Sequence, residues 1–161
     1  MQACTKCTTH PNFHHFEYVG ETSTGRHIYY TRPYPNIERK FTEEAMHNYL
    51  YHMEASKKTP GPFVWIFDAY GIDKYEMPNM KLMKTFYENM RKEYKDTMER
   101  IYILNSNIMT RLILKMVEPF LKSENRGNMR TISSRVELLQ EGMGMSAVSY
   151  THLTLPTKRI V

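Results

Sequence analysis

Cys4 and Cys7 stand three positions apart near the start of the chain, and His10, His14 and His15 follow them. Two thiolates and two imidazoles are a donor set for tetrahedral zinc. Here the histidines lack the usual spacing from the cysteine pair, and the segment is short and terminal. The expectation is an irregular lead-in that holds no metal. A redox Cys-x-x-Cys needs a strand before it and a helix after it, and the sequence offers neither. Asp68 ends the apolar run Phe63-Val64-Trp65-Ile66-Phe67, a position where α/β proteins do place functional acids. No base or nucleophile accompanies it, so it is expected to cap the following turn. There is no Gly-rich phosphate loop, no G-x-S-x-G and no H-E-x-x-H. The chain therefore reads as non-enzymatic and without a cofactor.

The elements that position these residues belong to one domain. A chain of 161 residues that is 41% hydrophobic, 24% charged and 12% aromatic has the composition of a globular protein. It does not fit a collagen, a coiled coil or a disordered chain. No apolar run approaches the ~20 residues needed to span a bilayer. Met1 to Cys7 lacks the apolar stretch of a signal peptide, and two cysteines do not make a secreted disulfide framework. A cytoplasmic location is expected. The net charge of +5 falls to +3 without Lys158 and Arg159 of the last fourteen residues. That is too mild and too scattered for nucleic acid, which calls for a basic stripe on one element. A weakly basic face still suits an anionic membrane surface.

Strand-forming residues fill Arg26 to Arg32, between Gly25 and Pro33, and predict a strand. Thr42 followed by Glu43 and Glu44 predicts a helix start, and that helix runs to about Lys57 before Pro60-Gly61-Pro62. The run Phe63–Phe67 predicts a strand buried on both faces. A helix opens after Pro78, with Met80, Met83, Tyr87, Met90 and Tyr94 along one face. Ile101–Leu104 predicts a second buried strand, a further helix spans about 107–121, and Met129–Ser133 predicts an edge strand. Val136 to Gln140 is expected to begin one more helix. Alternating strands and helices imply an α/β domain with a largely parallel sheet and right-handed crossovers.

The segment Ile108–Lys122 is apolar on too many sides. At 100° per residue its apolar side chains cover an arc of roughly 240°, about twice what a surface helix needs. Arg111, Lys115, Glu118 and Lys122 share the remaining face, with net charge +2. One reading is a central helix buried between other elements. The other is a helix that lines an apolar cavity on one side and meets lipid on another, as an interfacial helix does.

The strand Arg100-Ile101-Tyr102-Ile103-Leu104-Asn105 and the apolar helix ending Val117-Glu118-Pro119-Phe120-Leu121 resemble the CRAL-TRIO domain, the family of phosphatidylinositol-transfer and tocopherol-transfer proteins. Upstream, Gly25-Arg26-His27-Ile28-Tyr29-Tyr30 is similar to the family's G-R-P-V-x-Y strand, with His27 in place of proline. Phe63 to Gly71 is similar to its central strand ending D-x-x-G. Glu93 to Arg100 occupies the place of its x-Y-P-E-R-L segment, with Lys95-Asp96-Thr97 for Pro-Glu-Arg. Ser106-Asn107 stands where the family has a small residue and then proline. The similarity runs from about residue 14 to residue 147.

The resemblance implies a mixed, largely parallel sheet flanked by helices around an apolar lipid pocket, incomplete at its C-terminus. It makes the helix at Ile108–Leu121 a gate over that pocket. Ile108, Met109, Leu112, Ile113, Met116 and Phe120 are then the gate-side pocket candidates, while Leu114, Val117 and Leu121 are the candidates to face the membrane. Strand alternation makes either Val64/Ile66 or Phe63/Trp65/Phe67 line the cavity, and likewise either Ile101/Ile103 or Tyr102/Leu104. Val64, Ile66, Ile101 and Ile103 are carried as the strand candidates, and Arg126 and Arg130 as headgroup candidates. The implied function is non-enzymatic binding and transfer of one phospholipid or isoprenoid by a cytoplasmic protein peripheral at membranes. The alternative is a protein-interaction scaffold of the same fold, for example one that binds small GTPases, with a vestigial pocket.

Residues 1–15 are expected to be the lead-in and 16–147 the domain. Back-translated, Val148 through Thr157 matches a transposase-adapter sequence used in sequencing libraries, so 148–161 is expected to be a non-native tail.

Overall fold

The computed structural model describes residues 4–9, 16–22, 24–33, 40–70, 77–118 and 129–132. It contains five strands: β1 (Glu17–Glu21), β2 (His27–Thr31), β3 (Phe63–Asp68), β4 (Met98–Leu104) and β5 (Met129–Ile132). They form one sheet in chain order, with β1 antiparallel to β2 and the remaining pairs parallel. The helices are α1 (Thr5–Thr9), α2 (Glu43–Met53), α3 (Met80–Tyr94) and α4 (Ile108–Val117), and a 3-10 turn at Glu54–Lys58 extends α2. The mixed, largely parallel α/β sheet expected from the sequence is the architecture observed. Side chains of α2, α3 and α4 pack into one core cluster on the same face of the sheet.

The helix starts follow from their caps. Thr42 Oγ1 accepts the Ala45 N–H at 3.1 Å, and Asn79 Oδ1 accepts the Leu82 N–H at 3.2 Å. Each satisfies one of the orphan donors of a first turn. α1 lies within the segment expected to be irregular. Its single turn is held by the Thr8 hydroxyl on the Cys4 carbonyl at 3.1 Å and by polar contacts with α2. β1 has no counterpart among the expected strands. Only Val19 of its five residues is buried, so its apolar signal is too thin to read, and a bulge between Tyr18 and Gly20 breaks its alternation. The predicted helix at Val136 lies outside the described residues.

Both faces of the sheet are buried, as the continuous apolar runs of β3 and β4 require. On the helical face Tyr29, Phe63, Trp65, Ile101 and Ile103 meet Met46, Tyr49 and Met53 of α2 and Phe86, Met90 and Tyr94 of α3. Phe16 stacks on Tyr29 with centroids 4.5 Å apart, and its ring meets Trp65 at 5.7 Å nearly edge-on. Such aromatic pairs contribute about 0.5–1.5 kcal/mol each beyond burial. The Trp65 indole N–H donates to Thr31 Oγ1 at 2.9 Å. Burial, reinforced by the charges of Glu54 and Glu93, pushes the Tyr94 hydroxyl well above the ordinary tyrosine range. The opposite face carries Val19, Ile28, Tyr30, Val64, Ile66, Tyr102 and Leu104, and no residue of the described helices belongs to that cluster.

Candidate ligand and membrane-contact site

The carboxyl ends of β2, β3 and β4 converge on a buried polar network. Asp68 is 0% exposed. It accepts the Tyr30 hydroxyl, the Asn105 side-chain amide at 2.9 Å and the Tyr70 N–H at 3.1 Å. The last of these bonds is the turn cap expected of it. Arg32 follows β2, is 2% exposed and lays its guanidinium over the Tyr70 ring at 4.4 Å. Its burial was not legible in the sequence, because arginine is almost never fully buried unless it is paired.

The same network fixes the start of α4. Asn105 adopts a left-handed conformation (φ 56°), which asparagine tolerates better than most residues. That conformation turns the chain sharply out of β4. Asn107 then caps α4, accepting from the Thr110 N–H at 3.0 Å and the Thr110 hydroxyl at 3.1 Å. Its amide reaches the Ala69 carbonyl at 3.4 Å. The place where the family resemblance implies a proline is thus occupied by a side chain that caps the helix and ties it to the end of β3.

α4 turns an unexpected face outward. Ile108 is 76% exposed and Leu112 46% exposed, whereas Thr110 is 6% exposed and points inward. Leu114 packs against the helical-face core. Met109 and Ile113 are half-buried, and Arg111 and Lys115 are exposed. At 100° per residue, Arg111, Lys115, Ile108 and Leu112 occupy one outward arc of about 100°. This corrects two assignments. Ile108 and Leu112, expected to line the pocket, face outward. Leu114, expected to face the membrane, faces the core. The tie to the sheet is the Asn107 amide on the Ala69 carbonyl, and Thr110 and Leu114 lie on the buried side of the helix.

The strand candidates also separate. Trp65 pairs with Ile101 and Ile66 with Tyr102, so Ile101 and Ile103 share the helical face with Phe63 and Trp65. Val64 and Ile66 lie on the opposite face with Tyr102 and Leu104. The four cannot line one cavity. On the side of α4, Ile101 and Ile103 remain. Arg130 lies on β5 opposite Tyr102. Phe120, Leu121 and Arg126, and the side chains of Met116 and Val117, lie outside the described residues. Tyr70, exposed, follows β3 beside Asp68 and the start of α4.

A largely parallel sheet in chain order, with α4 tied to the end of β3, defines a mixed α/β domain. The family model of the divergent CRAL/TRIO domain matches residues 25–158, and the chain belongs to that family. At family level it is a lipid-binding-type module, and such domains bind hydrophobic small molecules. The matched span runs past Ala147 into the expected tail, all of which lies outside the described residues. No curated protein matches the chain. Among the described residues no helix is long and apolar enough to cross a membrane.

Proposed function

We propose that the chain is a non-enzymatic lipid-transfer module that holds one phospholipid or isoprenoid on the α4 side of the sheet and exchanges it at membrane surfaces. The observation that carries this reading is the inversion of α4, with Ile108 and Leu112 outside and Thr110 inside. Two exposed apolar side chains four residues apart, flanked by Arg111 and Lys115, match the composition of an interfacial helix. The apolar pair enters the acyl boundary while the cations meet anionic headgroups. On the inner side, the half-buried Met109 and Ile113 offer apolar surface to a ligand, worth about 25 cal/mol per Å² buried before the costs of binding. No cofactor other than the bound lipid takes part, and Asp68 serves structure, its oxygens engaged by three donors.

Native mass spectrometry of the purified chain tests this reading. The expected spectrum shows the chain with the mass of one lipid added, and that lipid is recovered by solvent extraction. A chain that is ligand-free after gentle purification, and stays so after incubation with phospholipid and isoprenoid vesicles, favours the scaffold alternative.

A further inference from the structure

We propose that Cys4, Cys7 and His52 form a binding site for a zinc-class divalent cation that clips the N-terminal segment to the end of α2. One ligand atom from each of the three residues lies within 4.8 Å of the other two, and Cys7 Sγ is 3.3 Å from His52 Nε2. In a tetrahedral site with Zn–S of about 2.3 Å and Zn–N of about 2.0 Å, neighbouring donor atoms lie roughly 3.5–3.8 Å apart. The trio therefore needs only small shifts to close on a cation. The Cys7 N–H donates to Cys4 Sγ at 3.4 Å. That bond holds Cys4 Sγ against the turn that carries Cys7.

His52 could not be found from spacing, because 45 positions separate it from Cys7. The fold delivers it on the last turn of α2, where Tyr51 packs edge-on against its ring at 5.3 Å. Cys4 is buried, while Cys7 and His52 are half-buried, so the site is sheltered yet reachable. Two sulfurs and an imidazole select zinc-class cations over magnesium or calcium, which prefer oxygen. Three protein donors leave the fourth tetrahedral position to solvent.

The anchorage of α1 gives such a clip a task. A single helical turn does not persist alone, because nucleation costs more than one turn returns. No residue of α1 is buried. Its described ties to α2 are polar: the Thr5 hydroxyl to Glu44, the Thr5 N–H to Asn48 Oδ1 at 3.4 Å, and the Asn48 amide back to Thr5 Oγ1 at 3.4 Å. A cation shared between Cys4, Cys7 and His52 joins the two helices and stabilises the folded state by mass action.

The test is a titration of the reduced, chelator-treated chain with Co²⁺, followed by Zn²⁺, since zinc itself is spectroscopically silent. The expected result is one Co²⁺ per chain with thiolate-to-metal charge-transfer absorption and tetrahedral visible bands, both abolished by Zn²⁺, and a melting temperature raised by Zn²⁺. His52→Ala weakens binding by more than about 100-fold, beyond the 10–100-fold cost of losing an outer partner. His52→Cys, which keeps a ligand at that position, retains the charge-transfer band. His47→Ala, on the exposed face of the same helix, changes nothing. Circular dichroism of each metal-free variant separates loss of ligand from loss of fold. A folded reduced chain without the band overturns the proposal, as does a band indifferent to His52→Ala. So does conversion of Cys4 and Cys7 to a disulfide as the only chemistry observed.

Discussion

Asp68→Ala is expected to cost about 4 kcal/mol of folding stability, read as a shift in urea midpoint followed by Trp65 fluorescence. Asp68 is fully buried and accepts three hydrogen bonds. Alanine leaves the hydroxyl of the fully buried Tyr30, the Asn105 amide and the Tyr70 N–H without that acceptor. A stranded buried donor costs about 1–3 kcal/mol, and the Tyr30 hydroxyl is the most deeply buried of the three. Asp68→Asn keeps a carbonyl oxygen for Asn105 and Tyr70, so its loss should be about half as large. The damage should also reach α4, because Asn105 sets the turn that presents Asn107 to Thr110. A loss below about 1 kcal/mol for the alanine variant would mean that the network is not holding the carboxyl edge together.

The second large effect concerns the outer face of α4. Ile108→Glu combined with Leu112→Glu is expected to lower partitioning onto anionic vesicles by about 100-fold, with the stability of the fold nearly unchanged. Full burial of one such side chain is worth about 1.5–3 kcal/mol. Ile108 and Leu112 begin 76% and 46% exposed, so inserting both is worth about 3 kcal/mol, a factor of roughly 100. The added carboxylates also oppose the attraction of Arg111 and Lys115 to acidic headgroups, about 1 kcal/mol per cation near the surface. Exposed substitutions usually move stability by less than about 0.5 kcal/mol, so the two readouts separate. Vesicle flotation and thermal melting measure them. Unchanged flotation would remove α4 from the membrane surface.

The parallel sheet was legible because β3 and β4 are short continuous apolar runs bounded by Pro62 and Asn105, and such runs have few alternatives to a strand buried on both faces. That same continuity hid which face each residue takes. Val64 and Ile66 look no different from Ile101 and Ile103 in sequence, and only the register of β3 against β4 separates them. The helix after Asn105 was legible as an element but not in orientation. With an apolar arc of roughly 240°, the pattern permits several rotations, and only the burial of Thr110 and the packing of Leu114 show which one is taken. β1 was lost because it buries one residue. The approach of His52 to Cys7 was not legible because 45 positions separate them in the chain.

Transfer between vesicle populations tests the central claim most directly. Donor vesicles carry a self-quenched fluorescent phospholipid, acceptor vesicles carry none, and the chain is the only addition. Dequenching is expected at a rate proportional to chain concentration, suppressed in the Ile108→Glu, Leu112→Glu variant even though that chain is folded. Dequenching no faster than the spontaneous rate, with phospholipid and with an isoprenoid probe alike, would contradict it.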